Sequence, residues 1–247
     1  AQESSGAVSA LWESGLPKLS RWENGSWSGQ KDTDLPSGFE TVFAAGGSRL
    51  VAGYDSRRRV TSPSGLEQWQ HFLAERSAGG TVFGPERVLA VAPWASPSST
   101  WPVYVASGSV DDAGLATFAY RVDTGTSTDC RHQTRLAQTD AGSVRPPVEL
   151  NIFCSSGNGD YKSAAASRGD GYAVHIAGRV GVYAAEKEPG KAWSLAEVDD
   201  GGYVAEARVA YDAQGTITAA WTRWNGTAYI VRAARKAPGG PWSAPVN

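Results

Sequence analysis

Gly239-Gly240-Pro241-Trp242-Ser243-Ala244-Pro245-Val246 reads as a tight turn running into a short strand, and the form is not solitary. Pro189-Gly190-Lys191-Ala192-Trp193-Ser194-Leu195-Ala196 repeats it, as does Asn24-Gly25-Ser26-Trp27-Ser28-Gly29. Looser copies are Gly79-Gly80-Thr81-Val82-Phe83-Gly84-Pro85 and Gly142-Ser143-Val144-Arg145-Pro146-Pro147. Anchored on Trp27, Phe83, Val144, Trp193 and Trp242, the copies are spaced by 56, 61, 49 and 49 residues. A period of ~40–50 residues is that of a four-stranded propeller blade, and the longer spacings leave room for loop insertions.

A second element recurs ahead of the anchors. Tyr211-Asp212-Ala213-Gln214-Gly215-Thr216-Ile217-Thr218-Ala219-Ala220-Trp221 aligns with Val110-Asp111-Asp112-Ala113-Gly114-Leu115-Ala116-Thr117-Phe118-Ala119-Tyr120. Shorter versions are Gly6–Trp12, Gly46–Tyr54 and Arg168–His175. Each is a turn followed by a strand of small and β-branched residues. Asp and Gly suit the turn because both tolerate the left-handed region and Asp bonds its own backbone.

Each full repeat thus contains four strands, expected in the last one near 203–211, 216–224, 228–236 and 241–246. No stretch carries a long 3.6-residue apolar period bounded by caps, so helix is not expected. The fold expected is all-β: one domain over residues 1–247, a five-bladed β-propeller with four-stranded antiparallel blades. Its approximate repeats are 1–36, 37–91, 92–152, 153–200 and 201–247. The first repeat begins at its second strand, so the first blade has three strands or borrows a fourth from residues 1–5. That gap matters because a propeller protects its strand edges by closing its ring.

Composition narrows the function classes. Hydrophobic residues make up 41% and charged residues 19%, enough apolar material for a core. The 29 glycines and 13 prolines are spread along the chain, as many short strands require. No apolar stretch is long enough to insert in a bilayer as a helix. Net charge is −2, without the basic excess of a phosphate-binding surface, so no nucleic-acid partner is expected. The run Arg57-Arg58-Arg59 reads as a solvated hairpin tip. The sequence contains no Met, and Ala1-Gln2 has the look of a processed start, which points to a secreted, extracellular protein. In that setting Cys130 and Cys154 would form one disulfide, worth roughly 3 kcal/mol; the alternative is two buried thiols. No Cys-x-x-Cys, His-x-His or His-Glu-x-x-His spacing is present, so neither a metal site nor a cofactor is expected.

The combination Asp-x-x-Gly-x-x-x-Ala-x-Trp with Pro-Gly-Gly-x-Trp-Ser-x-Pro-Val resembles the repeat of secreted bacterial β-propeller proteins. More loosely it is similar to fucose-binding and tectonin-like propeller lectins. Those families hold sugars in shallow pockets between blades, lined by Trp or Tyr with Arg and Glu. The resemblance implies a propeller fold and a glycan ligand. Tyr211–Gly215 also resembles the Asp-box turn of sialidases, but here it lies before the second strand, and no motif assembles three arginines around a carboxylate.

Trp12, Trp27, Trp193, Trp221 and Trp242 occupy repeat positions, which assigns them first to packing. Trp22, Trp69, Trp94, Trp101 and Trp224 fall outside the aligned anchors. Arg21-Trp22 and Arg223-Trp224 each precede an Asn-Gly turn, placing a donor beside an aromatic face on which a sugar ring can stack. The candidate ligand-binding residues are therefore Trp22, Arg21, Trp224, Arg223, Trp69 and Trp101. The Asn24-Gly25-Ser26 and Asn225-Gly226-Thr227 sequons read as hairpin turns first and glycosylation acceptors second. Among His71, His132 and His175, His71 is the acid/base candidate if the protein is an enzyme, with Asp55 and Arg57 nearby in the same repeat. Asp111-Asp112 and Asp199-Asp200 are adjacent, so their side chains diverge and neither is a ready dyad. The leading functional reading is a lectin-like domain recognising extracellular glycans. The alternatives are a glycan-cleaving enzyme, hydrolase or lyase, with a site at the channel mouth, and a protein-binding or inhibitory propeller.

Overall fold

Ile217, Ala219 and Trp221 are buried while Thr218, Ala220 and Thr222 between them are half-buried, the period-two pattern of a strand with two unequal faces. Such strands make up the computed structural model, which describes residues 7–14, 16–29, 31–32, 35, 41–46, 49–77, 80, 82–91, 104–111, 113–123, 132–140, 143–146, 148–155, 162–168, 172–178 and 180–247. No helix occurs among them, and none therefore is long and apolar enough to cross a membrane.

Every paired strand is antiparallel. The first sheet holds β1 (Val8–Ser14), β2 (Leu16–Glu23) and β3 (Ser26–Trp27), with β4 (Lys31–Asp32) pairing β2. The second holds β5 (Thr41–Gly46), β6 (Arg49–Thr61), β7 (Glu67–Ser77) and β8 (Arg87–Val91) in chain order. The third holds β9 (Tyr104–Val110), β10 (Ala116–Asp123), β11 (His132–Thr139) and β12 (Val148–Ser155). The last runs β13 (Lys162–Arg168), β14 (Tyr172–Gly178), β15 (Val180–Lys187), β16 (Trp193–Tyr211), β17 (Ile217–Trp224) and β18 (Tyr229–Lys236). It contains two repeats in one ladder, which the repeat pattern does not predict. Val180 pairs with Tyr203 as well as Val182 with Asp199, so β16 carries on across the expected boundary at residues 200 and 201 through a register shift, with Gly201 and Gly202 at φ +77° and +81°. Isolated bridges of Lys236 with Trp242 and Ala233 with Val246 stand where the last outer strand is expected.

The Trp-Ser turns share one bond. The residue after each anchor donates its N–H back to the preceding long strand: Ser28 to Arg21 O at 2.8 Å, Gly84 to Glu75 O at 2.6 Å, Arg145 to Gln138 O at 2.8 Å and Ser243 to Arg235 O at 2.7 Å. Ser194 pairs with Glu186 in the same sense. The serine hydroxyl adds a second bond, accepting from Arg21 N at 2.9 Å in Ser28 and from Arg235 N at 3.0 Å in Ser243. That reciprocal pair is the physical reason for Ser after Trp.

The core lies between successive repeats. Val51, Leu73 and Leu89 of the second sheet interdigitate with Val110, Phe118 and Tyr120 of the third. Ala119 and Leu136 meet Ala185 between the third sheet and β15, and Val174, Ile176 and Val182 meet Ile217, Ala219 and Trp221 in the last. On the other face of the second sheet, Tyr54, Phe72 and Phe83 cover Leu35. The repeats stack face to face, and their first strands stand side by side: β9 packs against both β5 and β13, and β13 against β16.

Polar contacts orient the stack. Arg49 of β6 donates to Gly114 O in the turn before β10, and Arg168 of β13 overlies Tyr211 beside the turn before β17. The first-to-second-strand turns before β10 and β17 are therefore each gripped by the repeat before them. All such turns lie at one end of the sheets, here the turn end, together with the Trp-Ser turns. The connections from second to third strands, and from one repeat to the next, lie at the opposite, connection end.

Candidate functional site

In the second sheet, β6 and β7 outrun their neighbours. β5 pairs β6 only as far as Tyr54, and β8 pairs β7 only between Gln70 and Leu73. Beyond them Arg59, Val60 and Thr61 pair with Trp69, Gln68 and Glu67, forming a two-stranded ribbon at the connection end. A Ser62–Leu66 turn closes it, with Ser62 N donating to Leu66 O at 2.8 Å and Leu66 N to Ser62 Oγ at 3.0 Å. The ladder shifts between the Asp55–His71 and Arg59–Trp69 pairs, leaving residues 56–58 as a bulge. Arg57 and Arg58 thus lie in the bulge and Arg59 in the ribbon, while the hairpin tip is the serine turn. Bulges re-aim side chains and are common beside active sites.

Asp55, Arg57, Trp69 and His71 are brought into this one hairpin by pairing register alone. The His71 ring is 1% exposed, packed between sheets with its centroid 6.5 Å from that of Tyr120. A group so enclosed cannot itself reach a substrate, though it can act on a strand neighbour.

At the connection end of the last repeat stands a second group. Arg223 Nη1 donates to Asp199 Oδ1 at 3.0 Å, Arg232 Nη1 to Asp199 Oδ2 at 2.8 Å and Trp221 Nε1 to Asp199 Oδ2 at 3.0 Å. The Asp199 carboxylate is almost fully enclosed, and Asp200 is exposed, so adjacent side chains diverge as expected. Next to Arg223, the Trp224 ring meets Tyr229 edge-to-face, centroids 5.1 Å apart, and both are exposed. The turn between them is made by Asn225, whose Oδ1 accepts from Thr227 N and Ala228 N, both at 2.9 Å.

Arg21 and Trp22 lie at the turn end instead. Trp22 pairs with Trp27 across an Asn24-Gly25 turn, ring centroids 5.6 Å apart. Arg21, Glu23, Asn24 and Trp27 line a cleft of about 360 Å³ against Arg76 and Gly80 of the next repeat. Trp27 is 52% exposed, which corrects its assignment to packing. Trp193 and Trp242 pack on clusters joining successive repeats.

Trp101 and Cys130 lie outside the described residues. Cys154 sits in β12, but its side chain, like those of Asp55, Arg57 and Trp69, is not among the described ones. Among the described residues no group of three or more His, Cys, Asp or Glu side chains could hold a metal ion. Asp199 and Arg232 escape sequence reasoning as a pair, because they come from different repeats with no shared motif. Only the Gly201-Gly202 pair after Asp199 hints at an unusual backbone there.

No protein-family model and no curated protein sequence matches the chain. Solved structures do. The chain is similar to an α-L-arabinanase of Penicillium chrysogenum (13% identity, TM-score 0.59), covering 98% of this chain and 78% of that one. It is similar to the Trypanosoma rangeli sialidase (13% identity, TM-score 0.56), with 96% of this chain covered but only 42% of the sialidase. A Dyadobacter fermentans protein of unknown function gives 9% identity and a TM-score of 0.55 over 93% of this chain and 71% of that one. The fold is thus an all-β, propeller-like stack of antiparallel sheets whose solved neighbours include β-propeller glycosidases.

Proposed function

We propose that the chain is a five-bladed propeller that hydrolyses extracellular glycans, with its site at the connection end. The supporting observation is the second-repeat hairpin, where register sets Asp55 opposite His71, with Arg57 in the adjoining bulge and Trp69 further along the ribbon. Likeness of fold to glycosidases agrees with this reading; the activity itself is argued from the residues. Asp55, the register partner of buried His71, is the candidate acid or base, and Arg57 and Trp69 are the candidates for holding substrate. Hydrolysis of a glycosidic bond takes two carboxyl groups, so this reading requires a second one from another repeat at the same end. An extracellular setting also suits a Cys130–Cys154 bridge. The test is release of reducing ends from a panel of arabinans, galactans and sialosides. Asp55→Asn should lower kcat at least 100-fold, the lower end of what a positioned acid or base contributes. Full activity in that variant, or no release by the wild type from any glycan, overturns the proposal.

A binding-only, lectin-like reading draws support from the Trp22–Trp27 cleft, which offers aromatic faces beside Arg21 and Glu23. Glycan-array binding without turnover, lost in Trp27→Ala, would select it.

A further inference from the structure

Asp199 is more heavily bonded than a surface repeat needs. Its carboxylate sits beneath the end of the last repeat, held by Trp221 and two arginines, while Arg232 Nη2 also donates to Pro245 O at 3.4 Å. Gly202, at φ +81°, passes so close that a Cβ there would run into Arg223 Nε and Cγ. The backbone thus takes a conformation that L side chains avoid, and it leaves the space that Arg223 fills. Trp221 and Arg223 face Asp199; Trp224, one residue on, faces the other way and meets Tyr229 at the open surface. Tyr203, also exposed, precedes Val204, the register partner of Arg223, and so shares this end of the sheet. Exposed aromatic faces on a hairpin whose base is locked by a buried ion-pair cluster lose little entropy on binding. The two arginines are balanced by Asp199 and exposed Asp200, so this cluster carries no net charge.

We propose that Trp224 and Tyr229 form a stacking platform for a neutral sugar, with Asp199 as the positioning residue that holds Arg223, and through it the hairpin, in place. The platform extends the glycan-hydrolase reading by naming a substrate class, neutral rather than acidic, and it rests on that reading.

The test uses the full chain in affinity electrophoresis through gels containing neutral arabinan, neutral galactan or polygalacturonate, at low and high salt. The neutral polymers should retard the wild type and polygalacturonate should not. Trp224→Ala and Tyr229→Ala should weaken retardation at least tenfold with Tm unchanged. Asp199→Asn leaves the arginines in excess, so it should gain a salt-sensitive retardation by polygalacturonate, which loss of packing alone would not produce. Should that variant fail to fold, Arg223→Gln keeps the issue open to test: polygalacturonate must still fail to retard it, while neutral binding falls at least threefold. Wild-type retardation in both aromatic variants, a wild-type preference for polygalacturonate, or a dimer that Trp224→Ala dissociates would each overturn the platform. Reducing-end release with Trp224-independent binding sinks the platform alone. Trp224-dependent retardation without release sinks the hydrolase reading alone.

Discussion

Trp242 buries part of its ring on the joined fourth and fifth repeats, and its Nε1 donates to Glu186 Oε1 at 2.8 Å. Lys236 Nζ lies 2.8 Å from the other oxygen of the same enclosed carboxylate. Trp242→Phe keeps most of the apolar contact and removes the donor, leaving Glu186 one hydrogen bond short. The expected cost is about 1–3 kcal/mol, the penalty of an unsatisfied buried acceptor, measured by urea unfolding. Gly215 shows the backbone counterpart. At φ +80° it takes a conformation L side chains avoid, and a Cβ would also strike the Arg168 guanidinium. Gly215→Ala is expected to cost roughly 1–3 kcal/mol, read the same way. Glu188 is a surface case: a hydrogen bond from Lys191 holds its carboxyl below the ordinary carboxylate value. A carboxyl with a depressed folded-state pKa stabilises above its unfolded value and loses that contribution as pH falls through the lowered one. Lys191→Ala should therefore move the Glu188 titration upward, as followed by NMR.

At the scale of elements, the turns were legible because their chemistry is local. Asp212 Oδ1 accepts from Gln214 N at 3.0 Å and Thr216 N at 2.8 Å, and Asp111 Oδ1 accepts from Leu115 N at 2.7 Å. An Asp followed three residues later by Gly therefore states its own turn. Asp212→Ala should destabilise the last repeat by about 1–2 kcal/mol, the scale of losing hydrogen bonds to a charged acceptor, in thermal unfolding. Ser243→Ala should speed amide exchange at Arg235, whose N–H loses its hydroxyl acceptor. The long strand β16 was not legible. Asp200-Gly201-Gly202 carries every signal of a break, and both glycines do take left-handed φ, yet beyond the register shift Tyr203 finds Val180 as a partner and pairing resumes. Arg57–Arg59 likewise reads as a tip from charge alone, while pairing of Arg59 with Trp69 draws it into a bulged strand.

At the scale of the molecule, the hydrophobic clusters lie between neighbouring repeats, and no single centre serves those of the described residues. Stability in such stacks is largely a sum over neighbours. Val174, Ile176 and Val182 are covered by the repeat that follows, so a chain ending at residue 202 would expose them. That truncation should lose cooperative unfolding. In the full chain, Trp221 fluorescence and far-UV circular dichroism should report coincident transitions for the two joined repeats.

Sequence by itself determined the strand–turn repeat, its period and the Asn-Gly, Asp-Gly and Trp-Ser turns, because each depends on groups within a few residues or one hairpin of each other. It also put Asp55 and Arg57 near His71, since all three belong to one repeat. Tertiary structure alone decided that Arg21-Trp22 and Arg223-Trp224, alike in sequence, lie at opposite ends, and that Asp199 gathers Arg223, Arg232 and Trp221. It also decided that Trp27 is exposed where Trp242 is packed. The physical reason is that these contacts follow from which sheet face meets which neighbour, and no local rule of backbone chemistry encodes that.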